Sequence, residues 1–129
     1  MNAISVDIKD MLVDDTDLVF GTNLFISREP TSPNSCVTIY DTPGEGDDLY
    51  FNPDERYERG SIQVRVRDNN YISAWTRIDE IRQLLHGRAN ETRNGAYYTA
   101  IRLTSGPAML EYDDNGRVIL VTNFNVQRR

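Results

Sequence analysis

The sequence predicts an α+β domain: a mostly antiparallel sheet with a long helix packed on one face and a short N-terminal helix. Three observations carry this. Residues 61–67 alternate strictly, Ile62, Val64 and Val66 against Gln63, Arg65 and Arg67, which is the period of a half-buried strand. Residues 71–86 place Ile72, Trp75, Ile78, Ile81, Leu84 and Leu85 at helical spacing. The rest of the chain reads as extended pieces separated by turn residues, an order that places helices on one side of a sheet rather than between parallel strands. With 129 residues there is room for one domain, 1–129.

In order along the chain, Ile4, Ile8, Met11 and Leu12 predict a first helix over residues 4–12, with Ser5 or Asn2 as its cap. Residues 18–26 read as extended, broken at Gly21-Thr22-Asn23. Pro30 and Pro33 make 29–34 a loop, and the β-branched run 36–40 a strand. Residues 41–60 carry Pro43, Gly44, Gly46 and Pro53 among crowded acids, and read as a long acidic loop whose aromatics, Tyr50, Phe51 and Tyr57, call for a covering partner. After the strand 61–67, Asp68-Asn69-Asn70 forms a turn and caps the long helix, which Gly87 ends, and Trp75 is read as core. Asn94-Gly95 is a tight turn, 97–103 a strand broken at Ser105-Gly106-Pro107 and resumed over 108–112, and Asp113-Asp114-Asn115-Gly116 a hairpin turn of type I′ before the closing strand 118–126.

Charge and residue usage narrow the function. The hydrophobic fraction is 39% and the charged fraction 26%, as in a folded domain. No apolar run reaches the roughly 18 residues needed to span a bilayer, and the N-terminus lacks the pattern of a signal peptide. The formal charge of −6 disfavours holding DNA through its phosphates. The charge is also divided. Residues 1–58 hold 13 acids against 3 bases, residues 59–129 hold 7 acids against 11 bases, and of the 14 bases only Lys9 is not arginine. Such a chain either mixes its charges over one solvated surface or presents opposite signs to successive copies of itself. Arg65 and Arg67, outward on their strand, and Asp47 and Asp48 in the acidic loop are the candidate contact residues, with Tyr50, Phe51 and Tyr57.

The residues offer little for catalysis. His86 is the only histidine, at a helix end where a cation is favoured. Cys36 is the only cysteine and opens a strand, so neither a disulfide nor a zinc site is expected. The carboxylates Asp41, Glu45, Asp47 and Asp48 lack EF-hand spacing, and no phosphate-binding glycine loop is present. No enzyme activity, cofactor or metal is expected.

Several stretches in order carry a resemblance: Gly21-Thr22-Asn23-Leu24-Phe25, a proline loop, Val37-Thr38-Ile39-Tyr40-Asp41-Thr42-Pro43-Gly44, Ile62-Gln63-Val64-Arg65-Val66-Arg67 leading into the helix that ends Leu84-Leu85-His86-Gly87, then Ile101-Arg102-Leu103-Thr104-Ser105-Gly106-Pro107 and Val121-Thr122-Asn123-Phe124-Asn125-Val126. Together they resemble the minor capsid and tail-terminator proteins of long-tailed (siphovirus) phages. The resemblance implies a structural virion protein, made in the host cytoplasm, that forms a homo-hexameric ring. The ring caps the tail tube protein, stops its polymerisation and offers the surface to which a head–tail connector or neck protein docks. DNA would pass through the lumen without specific binding. The alternatives are another neck or head/tail-completion protein, and a small ligand-binding α+β domain.

Overall fold

The computed structural model describes residues 1–48 and 57–129. Within them the chain runs α1 (Ile4–Asp15), β1 (Leu24–Ile26), β2 (Cys36–Asp48), β3 (Tyr57–Asp68), α2 (Tyr71–Leu85), β4 (Glu91–Arg93), β5 (Ala96–Tyr112) and β6 (Val118–Arg128). The described strands form one sheet in the order β1-β2-β3-β6-β5-β4. The β1–β2 pair is parallel, and the β2–β3, β3–β6, β6–β5 and β5–β4 pairs are antiparallel, so the fold is α+β with a mixed sheet.

Both helices pack on one face of this sheet, α1 against β1, β2 and β3 and α2 against β3, β5 and β6. The alternation of β3 sets that face: Ile62, Val64 and Val66 are buried and lie opposite Phe124, Thr122 and Leu120 of β6. Ile8, Met11 and Leu12 of α1 join Ile78, Ile81 and Leu85 of α2 in one apolar cluster with them. Asn70 caps α2 as its sequence predicts, its side-chain oxygen accepting from the amides of Ile72 at 2.8 Å and Ser73 at 3.2 Å. Gly87, at φ +85°, supplies the left-handed residue that ends the helix.

Four details differ from the sequence reading. Trp75 is 40% exposed and Ile72 75% exposed, so neither belongs to the core. Steps of three residues drift by about 60° of helix rotation each, so the series 72, 75, 78, 81 walks around the helix. The buried stripe is Ala74, Ile78, Ile81 and Leu85, at spacings of four and three. The cap of α1 is not local either: Ala3 at the N-cap makes no side-chain hydrogen bond, and Asp41 of β2 accepts from the Ser5 amide at 3.0 Å and the Ser5 hydroxyl at 2.6 Å. A carboxylate at a helix N-terminus meets both the unpaired amides and the positive dipole end there.

The third difference concerns the acidic loop. Residues 41–48 continue β2 and residues 57–60 begin β3, so most of the described part of 41–60 is paired strand. The pairing is irregular between Thr42 and Glu45 and between Glu45 and Asp48. Gly44 is required at the first irregularity, since a Cβ there would stand 2.3 Å from the Arg59 carbonyl oxygen. The fourth concerns turns. Asn94 and Gly95 have φ +49° and +81°, the two positive values of a type I′ turn, and link β4 to β5. In the Asp113–Gly116 turn only Gly116 is positive, at +75°. The Gly116 amide donates to the Asp113 carbonyl, and the Asp113 amide to that of Arg117, closing a longer hairpin with a glycine bulge.

Candidate assembly surface

The face of the sheet turned away from the helices is polar. On β3 it carries Ser61, Gln63, Arg65 and Arg67, opposite Asn125, Asn123, Val121 and Ile119 of β6. Gln63 donates to Asn123 at 3.2 Å, Asn123 to the Ser105 hydroxyl at 2.7 Å, and Arg65 to the Gln63 oxygen at 2.8 Å. The Arg65 guanidinium lies 5.1 Å from the centre of the Tyr40 ring and is half-buried. Burial first, and then nearby Glu29, pushes the Tyr40 phenol above its ordinary value, while Arg65 opposes the shift. This arrangement leaves Arg65 on an open surface within reach of another molecule.

Arg67 is different. It alternates outward as the sequence predicts, yet it is 4% exposed. The loop between β1 and β2 folds over this end of the outer face and engages all three of its guanidinium nitrogens. Arg67 donates to the Pro30 carbonyl at 2.5 Å and the Pro33 carbonyl at 2.6 Å, reaches the Asn34 carbonyl at 3.4 Å, and pairs with Glu29 at 3.3 Å. Arg117, also buried, donates to the Thr31 carbonyl at 2.6 Å and to Asp113 at 2.8 Å. The expectation that Arg67 stands free for a partner is therefore corrected: its charge is used to hold a loop whose carbonyls have no strand to pair with.

The remaining contact candidates divide. Asp48 pairs within the chain with Arg59 at 3.1 Å, while Asp47 is exposed. Tyr57 is half-buried and hydrogen-bonded through its hydroxyl to Thr99 and to Gln127, the latter at 3.2 Å. Tyr50 and Phe51 lie outside the described residues. The carboxylate run expected to be densest is dispersed: Asp41 bonds Ser5 of α1 and Asp48 bonds Arg59 of β3. Among the described residues no group of three histidine, cysteine or carboxylate side chains stands together as metal ligands do. The His86 ring accepts the Leu103 amide at 2.9 Å, and the Cys36 thiol is buried and pushed up by that burial.

One ionic cluster had no signal beyond turn-like composition. Glu91 accepts from Arg88 at 2.6 and 2.8 Å and from Arg93 at 2.9 and 3.1 Å. The same arginines reach back to α1, Arg88 to Asp15 at 2.6 Å and Arg93 to Asp14. Two acids at a helix C-terminus oppose the helix dipole, and these cations offset them, which lets α1 run to Asp15. The Arg88 hydrogen bonds, with those of Arg93, hold the Glu91 carboxyl at about 2, against burial, which raises it. Since the folded value lies below the unfolded one, the Glu91 contribution to stability is full above about pH 4.5 and disappears as pH falls toward 2. Urea unfolding from pH 6 to 2.5 should show the wild-type advantage over Glu91→Gln constant down to about pH 5 and shrinking below it. An advantage independent of pH in that range would contradict the ionic account.

The fold has solved counterparts. A chain in the structure described as a virion of a native gene transfer agent particle superposes with a TM-score of 0.68 at 11% identity, over 98% of this chain and 94% of that one. A second solved chain superposes with a TM-score of 0.58 at 14% identity, over 98% of this chain and 97% of its own length. At such identities the likeness is one of fold. No curated protein sequence matches the chain. The sequence itself matches a family model over residues 6–129, and with the fold this defines a structural virion protein of the phage tail. The chain belongs to the bacteriophage tail terminator protein family.

Proposed function

We propose that this protein is a ring-forming tail terminator: copies of the chain, six in the expected ring, close over the end of a tail tube, stop its growth and present the surface to which a filled head or its connector docks. The observation that carries the reading is the family match over residues 6–129. The physical properties agree with it. An acidic N-terminal half and a basic C-terminal half let one copy meet the next head to tail, the kind of contact that closes into a ring. Arg65, half-buried on the open sheet face, and Asp47, exposed on β2, are the contact residues the reading retains, with Asp48 and Tyr57, which face each other at the other end of the β2–β3 pair from Arg65. Arg67 is withdrawn from that set because it is satisfied within its own subunit. Tyr50 and Phe51 stay in it on sequence alone. A net negative chain does not condense onto DNA phosphates, so DNA passes through the ring without being held.

The test is electron microscopy of the protein mixed with tail tube protein under conditions that polymerise it. A ring seated at one end of each tube, with tubes of limited length, is the expected result. Bare tubes that grow equally long with and without the protein would overturn the reading.

A further inference from the structure

We propose that neighbouring copies join edge to edge, residues 42–48 of β2 in one copy pairing antiparallel with residues 104–112 of β5 in the next. The proposal rests on the ring reading above and names the surface through which the ring closes.

The sheet has two open edges, and they are staggered. On the β2 side, β1 covers only Val37, Thr38 and Ile39, and among the described residues no strand lies beside β2 after them. On the β5 side, β4 covers Ala96, Tyr97 and Tyr98, the Gly87 amide and Arg88 carbonyl bond Ile101, and the His86 ring takes the Leu103 amide. Past Leu103 no described strand lies beside β5. Following the pairings across the sheet, Thr42 is level with Ser61, Asn125 and Arg102, whereas Ser105 is level with Asn123, Gln63 and Tyr40. The open stretch of β2 therefore lies level with the covered part of β5, and the open stretch of β5 lies alongside the end of β2 where β1 pairs, Ala108 level with Thr38 and Met109 with Val37. An unpaired strand edge is a template for another strand, and this one carries Met109 at 50%, Leu110 at 45% and Tyr112 at 56% exposure, apolar side chains that a neighbour would cover.

Direction and charge agree. β2 and β5 run in opposite senses within one sheet, because each of the three pairings that connect them is antiparallel. Copies related by rotation about a ring axis keep that orientation, so the β2 of one copy meets the β5 of the next antiparallel. Antiparallel pairing also sets Glu111 near Thr42, at the far end from Asp47 and Asp48, whereas parallel pairing would set like charges side by side. The stagger is about seven residues on β3, or roughly 23 Å, across four strands that span roughly 19 Å. Joined copies would tilt their strands by roughly 50°, a little steeper than the 35–45° common in closed sheets. Pro43 and Pro107 each remove one donor, and Pro43 lies at an irregularity. Antiparallel ladders bond at alternate residues, so prolines are tolerated at the others.

The test is disulfide trapping in the full chain. Gly46→Cys is combined in turn with Gly106→Cys, Ala108→Cys and Leu110→Cys. A Cβ has open space at both glycines, and the other two positions are exposed. The native Cys36 is buried, and Gly46→Cys with Asp114→Cys, in the exposed turn beyond β5, serves as control. Mild oxidation of assembled protein should give a ladder of covalent multimers for at least one of the three pairs and none for the control. Intact rings seen by microscopy that yield no ladder would overturn the edge pairing and leave the ring reading standing. Folded protein that forms no ring with tubes present would overturn both, and equal trapping in the control would mark the contact as collisional and overturn the edge pairing alone.

Discussion

Replacing Arg67 by alanine is expected to lower the unfolding free energy by about 3–5 kcal/mol, the range for removing one partner of a buried ion pair. The change leaves Glu29 and the carbonyls of Pro30 and Pro33 without their donor under a loop that has no other strand to pair with. For a chain of this length the melting temperature should fall by on the order of 10 °C. Arg65→Ala, two residues away on the same face, should cost under about 1 kcal/mol, because its guanidinium is half-exposed and bonded to a single amide. Thermal melts of the two variants side by side decide the matter, and equal stabilities would refute the clamp.

Asp7→Ala is expected to be as damaging, again by about 3–5 kcal/mol. Asp7 is 0% exposed and gathers three donors from distant parts of the chain: the Tyr98 hydroxyl, Asn94 at 2.6 Å and Arg128 at 3.4 Å. Arg128 in turn donates to Glu58 at 2.5 Å and to the Tyr98 oxygen at 3.1 Å. Burial, with the Asp7 carboxylate that accepts its proton, holds the Tyr98 phenol well above its ordinary value. Truncation strands the phenol O–H in the core and removes one of the two carboxylates beside the buried guanidinium. Asp7→Asn keeps the shape and one acceptor and should lose less, on the order of 1–3 kcal/mol. Urea denaturation should rank the variants wild type, asparagine, alanine. An alanine variant as stable as wild type would show that water replaces the carboxylate without cost.

How much of this was legible in the sequence depends on where the determining partner lies. The α2 cap at Asn70, its end at Gly87 and the inward set Ile62, Val64 and Val66 are local, and each stands where pattern alone puts it. The extension of β2 through Asp48 was not legible, because residues 41–48 are poor strand formers and are held by pairing to β3 rather than by propensity. Arg67 shows the same limit from the other side. Alternation says which face a side chain takes, and nothing in 61–67 says that a loop from 27–35 will cover that face at one end. Trp75 was misplaced because a run of i, i+3 residues resembles a stripe over two turns and leaves it over four. Of the candidate surface, the residue types were visible and the two open edges were not, since an edge is defined by the strand that fails to arrive.

The Asp41 carboxylate on the Ser5 amide has a kinetic consequence. The helix it caps is only 12 residues long, too short to persist alone in water. Its cap lies 36 residues downstream, and Asp7 is tied to groups 87 and 91 residues on, so the hydrogen bonds that fix the start of this helix close long loops. Such contacts contribute their energy only after the loop entropy has been spent, and they form late. In the folding transition state α1 should be loose while the sequence-adjacent strand pairs β2–β3 and β5–β6 are formed. Substitutions in α1 such as Ile8→Val should then quicken unfolding and leave the refolding rate nearly unchanged. The helix at residues 4–15 is in this sense set in place after the strand pairs that are local in sequence.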